Sequence, residues 1–340
     1  MSAPFEQCLE VLDRAIDELF DADPQIQAVG IARHDTAFGF KAVKNAAKIL
    51  PASALSKATK PPKSIKKIPV VIEEVSADVE ISLSAPVPMV ASFVPEQQQH
   101  RPIVCGLQVQ NVDDDDRQRR AGRLGANLII IGTLGCFVRL ADGTLAILSN
   151  NHVLAGENRG RNGHDRILQP GNLTFTASQH IATLTNFIPL NPSPSNARPA
   201  NGNVVFNTVD AAVATVQNGV AHSQSYLPVR GLPNPNGIGT ARVGDRVFKV
   251  GRTTGLTYGT ITAVGITVGP IPYDPGNVWF RQQIEVMGNN GTMFCNSGDS
   301  GSIVVRTTGE VLGLLYATNG TQTYVSPIQT VFAELGITLA

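Results

Sequence analysis

From about residue 128 onward the chain is a succession of short apolar runs separated by turn residues, and this pattern constrains the fold more than any other feature. The runs are rich in Val, Ile and Thr, and glycine or Asn-Gly pairs separate them, as in LIIIGTLGCFVRL, TLAILSNNHVL, RVFKVG and VLGLLYAT. Short strands at this spacing predict an all-β sandwich or barrel with at least about ten strands. The final run, PIQTVFAEL, keeps its apolar residues on one helical face and predicts a closing helix over residues 327–336.

The first hundred residues differ in composition and predict a small α+β accessory domain over residues 1–100. Phe5, Leu9, Leu12 and Ile16 recur at helical spacing, and residues 26–33, 37–44, 69–75 and 79–84 have the character of strands. Residues 101–124 are predicted to be a linker. Within the linker, DDDDRQRR at residues 113–120 predicts a solvated, protease-accessible loop.

The segment between Lys41 and Lys67 contains eight lysines and no acid, which leaves two interpretations open. It is either a patch for nucleic acid or an acidic partner, or a solvated loop. We favour the loop because the aromatic residues that stack on bases are missing. Lys+Arg and Asp+Glu are also equal, at 27 each, so overall charge does not favour nucleic acid. A protein partner, or self-association, stays an open role of the N-terminal domain.

Composition also bears on the compartment and on membranes. Hydrophobic residues make up 42% of the 340 residues, but no stretch of about 18 consecutive apolar residues exists, so no membrane partner is expected. The N-terminus lacks the basic start of a secretory signal, and we expect a cytoplasmic protein. Four cysteines are too few for a disulfide scaffold and are predicted to be free thiols.

Ser300 lies in Gly298-Asp299-Ser300-Gly301-Ser302, directly before the apolar run IVVR. A serine between glycines on a tight turn is accessible, because glycine permits unusual backbone angles and close approach of a substrate. The backbone N–H groups of Gly298 and Ser300 could then point at one spot and form an oxyanion hole. Taken alone, the motif is equally typical of an ordinary turn before a strand.

A serine hydroxyl needs a base, and His152 is the one histidine of six that ends a buried-looking strand. Taken alone, it would more often be a structural histidine. Among the acids between His152 and Ser300, Asp210 stands within the apolar run VDAAVA. A buried carboxylate needs a partner, because an unpaired one costs several kcal/mol. We therefore predict that Asp210 pairs with His152.

Together, NNHVLA, VDAAVA and GDSGS, in the order His, Asp, Ser, resemble the trypsin-like serine peptidases of the chymotrypsin fold. A fourth segment, GRTTGLTYGTIT at residues 251–262, is similar to the GRTTG…GTIT strand pair of bacterial members such as α-lytic protease. The resemblance covers roughly residues 125–340. Phe248 and Tyr258 stand where extracellular relatives would have a bridged cysteine pair. In this respect the chain is similar to the intracellular narrow-leaf type of plant and bacterial proteins.

The resemblance implies two antiparallel β-barrels, at about residues 125–230 and 231–327, within a peptidase domain over residues 125–340. It implies a serine endopeptidase that acts on protein or peptide substrates and needs no metal or cofactor. His152 and Asp210 would come from the first barrel and Ser300 from the second, and the strand at residues 313–318, which includes Tyr316, would pair with the substrate backbone. The alternative is a catalytically silent or regulated peptide-binding protein on the same fold, whose N-terminal domain recruits a partner.

The resemblance also suggests a specificity pocket. Phe294, six residues before Ser300, would form its base, and Thr318 would lie at its wall. Neither residue favours Arg or Lys, so we expect a preference for small or medium apolar residues before the scissile bond. In the alternative interpretation the loop is offset by one residue and these side chains pack in the core.

Asp299, next to the nucleophile, needs a cation or hydrogen-bond donors if it is buried. In trypsin-like enzymes a new N-terminus released by cleavage serves this purpose, and Ile103-Val104-Cys105-Gly106 is similar to that activating sequence. An internal base such as Arg252 is the alternative. We expect the uncleaved chain to be competent.

Overall fold

The computed structural model describes residues 4–34, 37–47, 58–81, 87–88 and 94–340. The chain is mainly β. Its α-helices within the described residues are α1 (Phe5–Glu10), α2 (Leu12–Ala22), α3 (Val112–Arg120), α4 (Asn151–Leu154) and α5 (Ile328–Leu335). None of these helices is both long enough and apolar enough to cross a membrane. Helix α5 lies within the predicted range of residues 327–336 and buries Ile328, Val331, Phe332 and Leu335.

Many short strands make up the rest of the regular structure, as the sequence predicts. In chain order the strands are β1 (Ile26–His34), β2 (Ala37–Asn45), β3 (Ser64–Ile65), β4 (Ile68–Val75), β5 (Glu80–Ile81), β6 (Val87–Pro88), β7 (Gln108–Asn111), β8 (Leu128–Ile129), β9 (Gly132–Thr133), β10 (Cys136–Arg139), β11 (Leu145–Ser149), β12 (Arg166–Leu168), β13 (His180–Phe187), β14 (Phe206–Asn207), β15 (Ala212–Val216), β16 (Gly237–Ile238), β17 (Arg246–Gly251), β18 (Gly255–Tyr273), β19 (Gly276–Gly288), β20 (Ile303–Arg306), β21 (Glu310–Thr318), β22 (Gln322–Pro327) and β23 (Thr338–Leu339).

Two sheets dominate the molecule. The first has the strand order β23-β10-β11-β15-β13-β12-β7-β9. In the second, six strands close into a barrel, since each is hydrogen-bonded to two others in the cycle β17-β18-β19-β22-β21-β20 and back to β17. The predicted fold class, mainly β with two barrel-like antiparallel sheets, is confirmed.

The apolar faces of the two sheets form the core between them. Side chains of β10, β11 and β15 pack there with residues of β17, β20 and β21, and α5 closes one side. Strands that are covered on both faces lack the alternation of apolar and polar residues. The apolar runs of this sequence therefore have the pattern of buried strands. Phe248 and Tyr258, at the predicted bridge position, are opposite each other on β17 and β18, with ring centroids 6.3 Å apart. The four cysteines, all within the described residues, are buried and form no disulfide, as predicted.

The N-terminal region is joined to the second sheet by strand pairing. Strand β1 is antiparallel to β18, and β2 and β4 extend the sheet beyond it. Helices α1 and α2 bury an apolar face on these strands, and the ring of Phe20 meets Trp279 of β19 edge-on at 5.2 Å. The predicted strands at residues 26–33, 37–44 and 69–75 correspond to β1, β2 and β4. The described half of the fourth, at 79–84, contains β5, and residues 82–84 lie outside the described residues. The division into domains at residues 100 and 125 stays a prediction.

The prediction of a solvated loop at residues 113–120 is wrong, since these residues form helix α3. The side chain of Asn111 caps the helix by accepting a hydrogen bond from the amide of Asp114 at 2.9 Å. Acids in the first turn and arginines in the last complement the helix dipole. Asp115 is buried and accepts from the amide of Ile130 at 3.1 Å, and burial raises its pKa to about 7. The predicted linker thus contains β7, a strand of the first sheet, and this helix.

Two lysines of the segment between Lys41 and Lys67 are paired with acids. Lys41 is buried and lies 2.6 Å from Glu285 on β19, and Lys44 lies 2.9 Å from Asp23. These two positive charges are therefore used inside the fold rather than for a partner. Residues 48–57 of the same segment lie outside the described residues.

Candidate active site

His152 and Asp210 meet because the strands that carry them are neighbours. β11 ends at Ser149 and is followed by α4, which contains His152. Asp210 lies two residues before β15, and β15 pairs with β11 at Ser149 and Ala212. Asp210 therefore precedes the strand rather than lying within it. The histidine Nδ1 is 2.5 Å from Asp210 Oδ2, and the His152 amide donates to Oδ1 at 3.2 Å.

This contact fixes the chemistry of the imidazole. Both side chains are fully buried. Since a carboxylate only accepts hydrogen bonds, the proton of the neutral ring lies on Nδ1, and Nε2 keeps its lone pair. Among the described residues, Nε2 has no hydrogen-bond partner although it is buried. The ring is therefore oriented as a base whose accepting nitrogen is unoccupied.

Ser300 lies on a loop before β20, and this loop is attached to the first sheet. Thr133 Oγ1 donates to the carbonyl of Gly298 at 2.9 Å, and the Thr133 amide donates to the carbonyl of Ser300 at 2.8 Å. Gly301 has φ +90°, and a Cβ built on it would lie 2.0 Å from Ser149 Oγ. The residue after the nucleophile must therefore be glycine for two independent reasons, backbone angle and space.

The Ser300 hydroxyl donates to the carbonyl of Tyr316 on β21 at 3.2 Å. His152 Nε2 does not accept from it in this structure. Among the described residues, the amides of Gly298 and Ser300 have no hydrogen-bond acceptor, and their role as an oxyanion hole stays a prediction. Ser300 is fully buried. The contact between Asp210 and His152 is therefore made, whereas His152 and Ser300 are not hydrogen-bonded to each other.

Asp299 is buried beside the nucleophile and has five polar contacts. Its Oδ1 accepts from the amides of Thr253 at 2.9 Å and Thr254 at 3.2 Å. Its Oδ2 accepts from Thr254 Oγ1 at 2.6 Å and from the amide of Asn296 at 3.0 Å. Lys249 Nζ lies 3.5 Å from Oδ2 and is itself fully buried. Burial lowers the pKa of Lys249, and the charge of Asp299 opposes that effect.

In the uncleaved chain neither sequence-based candidate donates a hydrogen bond to the Asp299 carboxylate, although the charge of Asp299 acts on the Arg252 guanidinium. Arg252 donates instead to Gln108 Oε1 at 3.2 Å, and burial lowers its pKa to about 10. Ile103 is buried and its amide donates to the carbonyl of Ala221 at 2.8 Å. Lys249 of β17 and the donors of Thr253 and Thr254 in the GRTTG turn satisfy the Asp299 carboxylate. In the uncleaved chain this carboxylate therefore needs no released N-terminus as a partner.

The predicted substrate-binding residues lie on the second barrel. Phe294 is buried in that barrel's own core, as the alternative interpretation of the pocket predicts. Tyr316 is fully buried, with its ring centroid 4.7 Å from that of Phe280. Thr318 is partly buried and donates to the carbonyl of Gln322 at 2.8 Å. Their role in substrate binding stays a prediction.

The edge of β21 that the resemblance assigns to the substrate backbone is partly occupied. Strand β5 pairs antiparallel with it, placing Ile81 opposite Ala317 and Glu80 opposite Thr318. Val79, just before β5, packs in the same apolar cluster as Tyr316. A segment of the N-terminal region therefore lies along the edge of β21.

Sequence reasoning missed two polar residues of this region, Lys249 and Tyr273. Lys249 was detectable, since it is the one lysine beyond residue 67 and stands in the apolar run RVFKVG. Tyr273 OH donates to Asp210 Oδ2 at 2.9 Å, and no local pattern marks it. Among the described residues, no group of three or more His, Cys, Asp or Glu is arranged to bind a metal.

Comparison with known proteins gives a partial family match and several similar structures. The family model of the Nal1 C-terminal domain matches residues 213–322. No curated protein matches the chain.

The similar solved structures are chymotrypsin-like serine proteases. Nocardiopsis protease is 18% identical with a TM-score of 0.45, over 70% of this chain and 98% of its own. The Cellulomonas bogoriensis chymotrypsin is 20% identical with a TM-score of 0.41, over 61% and 90%. The α-lytic protease homolog N4 is 19% identical with a TM-score of 0.41, over 62% and 93%. Likenesses this weak assign no activity to this chain.

Proposed function

We propose that the chain is a serine endopeptidase that hydrolyses peptide bonds through an acyl-enzyme intermediate. The observation that carries the proposal is the buried His152–Asp210 pair, whose Nε2 lone pair has no partner among the described residues. A structural histidine buried to this degree would be expected to satisfy both ring nitrogens. A buried imidazole whose other nitrogen is held by a carboxylate and whose acceptor has no partner is typical of a general base.

In the proposed reaction the Ser300 hydroxyl leaves the carbonyl of Tyr316 and attacks the carbonyl carbon of the substrate. Its proton passes to His152 Nε2, and Asp210 stabilises the resulting imidazolium. The amides of Gly298 and Ser300 hold the oxyanion. His152 then protonates the leaving amine, and water hydrolyses the acyl ester with the same base. Protein side chains and backbone supply every group in these steps.

A fluorophosphonate probe tests this proposal, because it reacts with a serine that a base activates. We expect labelling of the intact 340-residue chain at Ser300, located by peptide mass spectrometry. Ser300→Ala should abolish labelling, and Ser297→Ala, an exposed serine of the same loop, should leave it unchanged. No labelling of the folded chain would contradict the proposal. Labelling only of a fragment that begins at Ile103 would contradict the competence of the uncleaved chain.

One observation favours a regulated form of this activity. In related peptidases the strand corresponding to residues 313–318 is expected to pair with substrate, and here β5 lies on that edge at Ala317 and Thr318. We propose that the N-terminal segment competes with substrate by strand addition. A cytoplasmic location, and recruitment of a protein partner or self-association through the N-terminal domain, stay predictions.

Backbone substitution distinguishes this competition from side-chain effects. Prolines at Glu80 and Ile81 remove the amide donors of β5, whereas alanines at the same positions keep them. We expect the proline pair to accelerate probe labelling of Ser300 and the alanine pair to leave its rate near that of the wild type. Equal rates in both variants would contradict competition through strand pairing.

Specificity is proposed from the resemblance alone, with Thr318 at the pocket and Phe294 in the core of the second barrel. Peptides with Ala, Val or Leu before the scissile bond should be cleaved faster than peptides with Arg, in a comparison of kcat/KM. A pocket without a carboxylate leaves the guanidinium of Arg unpaired, which costs more than a missing methylene. Efficient cleavage after Arg alone would contradict the assignment.

A further inference from the structure

We infer that Tyr273 is a positioning residue for the His152–Asp210 pair, a role that rests on the proposed peptidase function. Its hydroxyl donates to Asp210 Oδ2 at 2.9 Å, the same oxygen that lies 2.5 Å from His152 Nδ1. The carboxylate is therefore held by the imidazole, by the His152 amide on Oδ1, and by a phenol from the other sheet.

A long hairpin of the second sheet delivers this phenol to the first sheet. Strands β18 and β19 run for 19 and 13 residues, and Tyr273 opposes Gly276 across the two-residue turn Asp274-Pro275. Their register shifts four times between Ile261 and Ile271. Such irregularities bend and twist a ribbon, which allows the hairpin to leave the barrel wall and reach the Asp–His pair.

Contacts with the first sheet's loops fix the tip of the hairpin. The amide of Asp274 donates to Glu157 Oε2 at 2.5 Å, and the Asp274 carboxylate forms an ion pair with Arg159. Glu157 and Arg159 belong to the loop that follows α4, the helix that contains His152. The same loop therefore supports both the histidine and the tip that carries Tyr273.

The aromatic ring of Tyr273 adds a second contact to the imidazole. It meets the His152 ring edge-on, with centroids 6.2 Å apart and planes at 66°. Phe280 of β19 lies on the other side, at 6.1 Å. Burial, together with the charge of Asp210, raises the pKa of Tyr273 well above its usual value, so the hydroxyl stays protonated and acts as a donor.

The consequence for catalysis follows from the geometry of Oδ2. Without the Tyr273 hydroxyl, the carboxylate is held by the imidazole on Oδ2 and by the His152 amide on Oδ1 at 3.2 Å. Any rotation about its Cβ–Cγ bond then changes the direction of the imidazole and of Nε2. A second donor on Oδ2 opposes this rotation. Hydrogen bonds to charged groups are worth more than neutral ones, and the loss of this one should reduce kcat about 10- to 100-fold. KM should stay unchanged because the hydroxyl does not touch substrate.

The test is Tyr273→Phe in the full chain, which keeps the ring and removes only the hydroxyl. Tyr226→Phe is the matched control, since its buried hydroxyl has no partner among the described residues. We expect a lower kcat with unchanged KM for Tyr273→Phe and no change for the control. A circular dichroism spectrum and melting curve confirm that both variants fold.

A second measurement does not depend on turnover. In proton NMR of the Ser300→Ala background, the Nδ1 proton between His152 and Asp210 should move downfield in Tyr273→Phe, because Oδ2 then accepts from the imidazole alone. An unchanged resonance, or unchanged kcat in an active protein, would overturn the role of Tyr273. A wild-type chain that the fluorophosphonate probe does not label would speak against the peptidase, while the NMR comparison would still decide the contact.

Discussion

His152 follows β11 and Asp210 precedes β15, which are neighbouring strands of one sheet. Ser300 lies on a loop before β20 of the other sheet, and contacts between the sheets hold this loop in place. The first pair is closed, with Nδ1 2.5 Å from Oδ2. The Ser300 hydroxyl instead donates a hydrogen bond to the carbonyl of Tyr316. The proposed acid–base half, His152 and Asp210, depends on the pairing of β11 with β15. The proposed nucleophile half, Ser300 and its loop, depends on the packing of the two sheets against each other.

This difference shows where the site is sensitive to change. The contact between His152 and Asp210 joins elements next to strands of the first sheet, and the second sheet adds the Tyr273 hydroxyl. The nucleophile half needs Thr133 of the first sheet on the carbonyls of Gly298 and Ser300, and Lys249 beside Asp299. Variants in each half should therefore differ in what they lose, either turnover alone or turnover together with stability.

The largest effect is expected where the two halves meet in the reaction. Ser300→Ala and His152→Ala should each reduce kcat by about 10⁶-fold, because the serine and its base act as one unit. Peptide hydrolysis measures the loss, and the melting temperature should be nearly unchanged. The double variant should lose no more than either single one. Full additivity of the two losses would indicate that the residues do not act together.

Asp210→Asn tests the acid–base half alone. An amide in place of the carboxylate favours the wrong imidazole tautomer, and we expect a loss of about 10⁴-fold in kcat. Asp165→Asn is the comparison, because that buried acid forms an ion pair with Arg117 at 2.6 Å. It should change stability rather than turnover. An active Asp210→Asn beside a dead Asp165→Asn would show that the wrong acid has been assigned.

Lys249→Met tests the nucleophile half. The substitution leaves Asp299 buried without its cation, and breaking a buried ion pair costs about 3–5 kcal/mol in free energy of unfolding. Because the four hydrogen bonds to Asp299 remain, we expect a loss in free energy of unfolding near the lower end of this range. Lys44→Met, which removes a partly exposed ion pair with Asp23, should cost less than about 1 kcal/mol. Denaturant titration of both variants compares them, and equal midpoints would contradict the role of Lys249.

The smallest effect concerns the glycine after the nucleophile. In Gly301→Ala the new Cβ would lie 2.0 Å from Ser149 Oγ and 2.2 Å from the carbonyl of Thr133. Gly320 has a similar φ of +86°, but a Cβ added there would meet nothing within 4 Å. Gly320→Ala therefore measures the cost of the backbone angle alone. We expect Gly301→Ala to be less stable than Gly320→Ala by about 1–3 kcal/mol, the usual cost of overpacking. Equal thermal stability of the two variants would show that the barrels can separate locally.

Much of the fold could be predicted from the sequence, because buried strands rich in β-branched residues carry their own signal. Helix α3 is not predicted because a run of charged residues is also typical of a solvated loop. Asn111 as the cap, followed by acids and then arginines, is nevertheless a helix signature. The three proposed catalytic residues were found from local motifs. Lys249 and Tyr273 meet partners 50 and 63 positions away, and the spacing of residues in the chain does not reveal which side chains a bent hairpin brings together.

The pairing of β1 with β18 limits which segments of the chain can be removed or exchanged. The hairpin that carries Tyr273 is paired along Ala263–Val268 with β1, and Trp279 is covered by Phe20. A chain without residues 1–100 would expose both a strand edge and a large apolar ring, a combination that promotes aggregation. The N-terminal strands therefore need to be kept together with the barrel, and exchanging residues 125–340 alone would leave the longest hairpin without its neighbour β1.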